Sequence, residues 1–159
     1  MVNGDMRALI RGVAHGCVLL QAAFHAYAEH ESVMRFPDGS VLLYAEKYPK
    51  PIMERVPENH ASIMTYGLVR MLADAQMDKQ EYVLLKALMV CNNSLLDLSP
   101  HGQAILETER DRFARSLFCY VMAHRGPKKG PNAYVEMMTM VNTFMRTANT
   151  DKNPILQLV

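Results

Sequence analysis

Residues 78–92, DKQEYVLLKALMVCN, constrain this chain more than any other stretch. Asp78 followed by Glu81 is a capping-box start: the Asp oxygen can accept the Glu81 backbone N–H while the Glu carboxylate reaches back to the Asp78 N–H. Beyond that start, Tyr82, Val83, Leu84, Leu85, Ala87, Leu88, Met89, Val90 and Cys91 make the helix apolar nearly all the way round, broken only by Lys86. A helix without a polar face needs packing partners on more than one side. It is also too short, and carries a lysine inside it, for a membrane span. The pattern predicts the middle layer of a helical sandwich.

With 159 residues, half of them hydrophobic, the chain can bury one substantial core, and one domain is expected. Its 17 Lys and Arg nearly balance 16 Asp and Glu, so there is no electrostatic case for direct contact with nucleic acid or with an acidic membrane. Cys17, Cys91 and Cys119 lie in helix-like apolar runs without CxxC spacing, which points to buried free thiols in a reducing compartment and to no zinc module. The first twelve residues have no uninterrupted apolar run and no small-residue cleavage site, so they do not read as a secretory signal.

Residues 5–27 form a second helix with more than one apolar face, with Arg7 and Arg11 on one stripe and His15 and His25 on a flank with Val18, Leu19 and Ala22. In MRFPDGSVLLY, Pro37-Asp38-Gly39 is turn chemistry between strand-favouring residues, and one small β-hairpin is expected. Prolines at 49, 51 and 57 break the chain. A helix over about 60–76 carries Met64, Leu68, Met71, Leu72 and Ala75 at helical spacing. Ser99-Pro100 is a cap with proline at the first helical position, starting a helix that reaches about Arg125. Its apolar side is Ile105, Leu106, Phe113, Leu117, Phe118 and Val121, and its other side is charged, with Asp111 and Arg115 spaced to pair. Residues 126–131 read as a Gly, Pro and Lys loop, and a last helix over about 132–148 presents Tyr134, Met137, Met138, Val141, Phe144 and Met145. The tail 149–159 has no assignment.

The order of these elements, with the residues in them, resembles the C-terminal two-thirds of a nuclear hormone receptor ligand-binding domain. Three stretches carry the resemblance: DMRALIR at 5–11, similar to that family's entry to helices 4 and 5; MLADAQMDKQEYVLLKALMVCNNSLLDLS, similar to helices 7 and 8 and the start of 9; and AYVEMMTMVNTFMR, similar to helix 10. The flavour is that of the retinoid X and hepatocyte nuclear factor group, and the RFPDG turn resembles nematode receptors. The implied fold is all-α, a partial three-layer antiparallel helical sandwich over residues 1–148 with one small hairpin. Set against that family, the chain looks truncated at both ends, which would make it a fragment, an incomplete gene model or a reduced isoform.

The same resemblance implies a nuclear, non-enzymatic role: the ligand-binding and dimerisation portion of a ligand-regulated transcription factor. Its partners would be a small lipophilic molecule, a coregulator peptide, and a second receptor chain as homo- or heterodimer; no direct nucleic acid contact from this chain, no membrane, no metal and no resident cofactor are expected. Ala14, His15, Val18, Leu19, Ala22, His25 and Phe36 fall at ligand-facing positions. His25 stands where acid-binding members hold a carboxylate with arginine, and imidazole, mostly neutral at cellular pH, lacks guanidinium's two-pronged donor geometry. Arg7 and Arg11 fall at the coregulator groove, and Arg112, Arg115, Tyr134, Met138 and Val141 on the dimer surface. Glu81 matches an acid whose arginine partner would occupy the position of Ala133, and Arg125 is the available substitute.

Each of these positions also has a plainer reading. Arg7 and Arg11 suit a solvated stripe, His15 and His25 suit core-edge histidines with one hydrogen bond each, and 13 methionines fill a core as readily as they line a plastic pocket. Residues 68–72, LVRML, imitate an LxxLL box, but those leucines are needed inside. No GxSxG, HExxH or phosphate loop is present, so an enzyme is not expected. The competing class is a helical interaction module that keeps the dimer face and binds no ligand.

Overall fold

The computed structural model describes residues 3–31, 34, 66–92 and 98–155. Four helical elements order as α1 (Asn3–Ala28), α2 (Leu68–Asp74), α3 (Lys79–Val90) and α4 (Pro100–Ile155). The expected hairpin, with Phe36, and the proline breaks at 49–57 lie outside the described residues. Among the described residues all regular structure is helical, in keeping with the all-α sandwich.

The helix in broadest contact is α1, which packs against α2, α3 and α4. Leu9, Val13, Leu19, Leu20, Ala23 and Ala26 turn inward from it. They meet Leu68 and Leu72 of α2, Leu85, Leu88 and Met89 of α3, and Leu117, Val121, Met137, Phe144 and Met145 of α4 in one core. Burying each large side chain contributes about 1.5–3 kcal/mol, so this cluster dominates the favourable side of folding. At Gly16 α1 lies close against its neighbours: a Cβ there would stand 2.8 Å from the Met145 sulfur and 3.1 Å from the Met89 methyl. By length and apolarity α1 could cross a bilayer, yet its contacts with three helices mark it as a core helix.

The helix that opened the sequence reading is less enclosed than expected. Leu85, Leu88 and Met89 of α3 are buried, but Val83 and Val90 are exposed. Among the described elements its main partners are α1 and α4. Lys86, the lone charge in the apolar run, reaches across to α1 and donates to Gln21 Oε1 at 2.8 Å while lying over the Tyr82 ring. That ring stacks on Phe24 of α1, with centroids 4.1 Å apart.

Two helix ends take left-handed turns without glycine. At the end of α1, His30 has φ 57° and the Glu31 N–H donates to the Ala26 carbonyl; after α2, Gln76 has φ 48° and the Met77 N–H donates to the Leu72 carbonyl. Both are the six-to-one closure of a Schellman turn. The spacing 60–76 thus ends where expected, and Leu68 and Leu72 are fully buried, as the discounted LxxLL reading requires.

The loop expected at 126–131 does not form. Helical structure resumes directly after Gly126, whose φ of 76° and ψ of 171° make a single-residue kink between two arms of α4, 100–125 and 127–155. Such angles are open only to glycine, and Pro127 suits the first helical position because no N–H is required there. The arms fold back on each other, bringing Phe118 edge-on to Tyr134 at 5.3 Å. Phe118, expected on the buried side, is instead 43% exposed, with the edge-on Tyr134 ring as its aromatic neighbour. The second arm runs on to Ile155, past the predicted end at residue 148.

Candidate functional site

Three groups of side chains are candidates for a role beyond packing. The first is a charged cluster at the start of α3. Its capping box forms as the sequence predicts: the Glu81 N–H donates to Asp78 Oδ1 at 2.8 Å, and the Asp78 N–H donates to Glu81 Oε2 at 3.0 Å. Both carboxylates do further work. Glu81 is fully buried and receives Arg125 bidentately, with Nε donating to Oε1 at 2.7 Å and Nη2 to Oε2. Arg125 also donates to the carbonyls of Ala75 and Gln76, at 2.7 and 3.2 Å, and so grips the left-handed turn that joins α2 to α3. Tyr120 donates to Asp78 Oδ2 at 2.9 Å, and His124, stacked on Tyr120, lies 3.7 Å from the same oxygen.

The electrostatics follow from those bonds. The Glu81 hydrogen bond raises the Arg125 pKa further, and the Asp78 hydrogen bond raises that of the Tyr120 phenol. Every strong acceptor in the cluster meets a donor, which makes it a structural clasp joining α2, α3 and the first arm of α4. Arg125 is thus the partner of Glu81, in the role the sequence reading offered it in place of Ala133. Ala133 itself is buried in the core.

A second polar joint fastens the start of α1 to the start of α4. Asp5, 5% exposed, accepts from the Ser99 N–H at 2.8 Å and from the Ser99 hydroxyl at 2.7 Å. The Ser99 Oγ accepts in turn from the Gly102 N–H at 3.1 Å, the capping bond expected of Ser99-Pro100. A Cβ at position 102 would stand 2.8 Å from an Asp5 oxygen, so the carboxylate approaches there because the residue is glycine. The sequence pattern did not single out Asp5 for burial; its closeness in space to the N-terminus of α4, 94 residues along the chain, explains it.

The second group lies on α1. Arg7, Arg11, Ala14, Val18 and His25 are all exposed and recur at helical spacing, so they form one continuous outward arc together with Met6, Ile10 and Gln21. His25 and Val18 share this arc with the arginines instead of forming a separate flank. His15 and Ala22 sit at its edge, half-buried, and Leu19 turns into the core at 2% exposure. Arg7 and Arg11, expected at the groove, therefore share one surface with Ala14, Val18 and His25, expected to face a ligand.

The third group lies where the arms of α4 meet. Arg112 and Arg115 are exposed on the first arm, where Arg112 pairs with Glu109 at 3.7 Å. Tyr134 and Met138 are half-buried on the second arm and Val141 is buried. A cavity of about 210 Å³ lies between the end of α3 and both arms, lined by Leu88, Arg110, Tyr134, Met138 and Val141 among others. A shallower one of about 400 Å³ is lined by Asp111, Arg115, Phe118, Cys119 and Tyr134. These cavities bring together four of the five expected dimer-surface residues, and Val135, 61% exposed, adds an apolar side chain the sequence reading passed over.

The cysteines separate by position. Cys91 is buried, Cys17 is half-buried, and burial raises the pKa of both thiols. Cys119 is exposed beside Phe118, contrary to the expectation of three buried thiols. Among the described residues no group of three His, Cys, Asp or Glu could hold a metal ion.

The all-helical fold of the described residues is consistent with a helical ligand-binding domain. The family model for the ligand-binding domain of nuclear hormone receptor matches residues 3–159, and the chain belongs to that family. It is similar to three nuclear hormone receptor family members of the nematode Caenorhabditis elegans. With nhr-60 it is 30% identical over 98% of this chain and 32% of the relative. With nhr-154 the identity is 28% over 86% of this chain and 29% of the relative, and with nhr-153 it is 25% over 94% and 35%. The chain spans about a third of the length of these curated relatives. The family is one of receptors, not enzymes, in line with the sequence reading.

Proposed function

We propose that this chain is the ligand-binding and dimerisation portion of a nuclear hormone receptor, a ligand-regulated transcription factor acting in the nucleus. The observation that carries the reading is the family match over residues 3–159, and the way α3 and α4 are clasped by Glu81 and Arg125 is compatible with it. In this reading the face where the arms of α4 meet pairs with a second receptor chain. Tyr134, Met138 and Val141 supply apolar contact there and Arg112 and Arg115 a charged rim, the usual anatomy of a protein interface. The α1 arc serves two partners. Arg7 and Arg11 hold the end of a coregulator helix, whose C-terminal carbonyls carry partial negative charge. Ala14, Val18, Ala22 and the histidines face a small lipophilic molecule. With His25 in place of arginine, that molecule is neutral or a hydrogen-bonding lipid more readily than a carboxylic acid.

A second reading is favoured by one observation: Ala14, Val18 and His25 are exposed in this chain and not enclosed. On that ground the chain would act as a ligand-independent helical module that binds a second receptor chain. A reporter assay tests the leading reading. Fused to a heterologous DNA-binding domain, the chain is expected to activate or repress transcription; an inert fusion that is nonetheless expressed and folded contradicts it.

A further inference from the structure

We draw no further inference here: the strongest candidate, the exposed face of α1 that carries Met6, Ile10 and Val18, is an unpartnered apolar surface patch, and nothing in the structure shows what covers it.

Discussion

Helices α1 and α3 have the same sequence signature, apolar residues on more than one face, and the structure secures them by different means. The start of α3 is held by charge. A fully buried Glu81, its own cap and the two-pronged Arg125 tie it to the turn after α2 and to the first arm of α4. The middle of α1 is packed by shape, with Gly16 admitting Met145 and Met89, and its first turn is tied by a carboxylate, Asp5. A buried ion pair contributes little net stability beside apolar residues of the same volume, but it is unforgiving of the loss of one partner. Close apolar packing has the opposite character, since each contact is weak and many share the load.

That contrast can be broken most forcefully at Arg125. Arg125→Met leaves Glu81 charged and buried without its partner, and a loss of about 3–5 kcal/mol in urea unfolding is expected. A loss below about 1 kcal/mol would mean that the clasp is incidental. At the other joint, Asp5→Ala removes two hydrogen bonds to a carboxylate and strands the Ser99 N–H. The expected cost is about 1.5–3 kcal/mol, visible as a lower unfolding midpoint with an unchanged slope. The smallest effect sharpens the comparison from the open side. Val18→Ser on the outward arc of α1 should change stability by no more than about 0.5 kcal/mol, because the side chain is 53% exposed. A larger loss would show that the arc is covered in solution.

The legible parts of this fold were those written in local chemistry. Asp78 with Glu81, and Ser99 with Pro100, start helices where their side chains can satisfy backbone N–H groups, and both starts form as read. The buried leucines of α2 and the methionines of the second arm followed from helical spacing. What was not legible depends on distance. Glu81 and Arg125 are 44 residues apart, Asp5 and Ser99 are 94 apart, and pattern along the chain has no way to join them. The resemblance placed an arginine for Glu81 at the position of Ala133, with Arg125 as the available substitute; it included Asp5 in a matched stretch but gave it no partner. The loop expected at 126–131 failed for another reason: Gly126 alone can reverse the chain, so the prolines and lysines after it were free to begin a helix. The arc of α1, expected as two flanks, was legible from spacing: 18 residues, about five turns at 3.6 residues each, separate Arg7 from His25, so the two share a face.

The central claim, that this portion of a receptor both pairs with a second chain and takes a small lipophilic molecule, is tested most directly by native mass spectrometry of the purified chain. The account predicts a dimer carrying a reproducible small-molecule adduct, and a Met138→Glu variant that is monomeric at the same concentration. A clean dimer without adduct would replace the ligand-binding reading with that of an interaction module, and a folded monomer without adduct would contradict both.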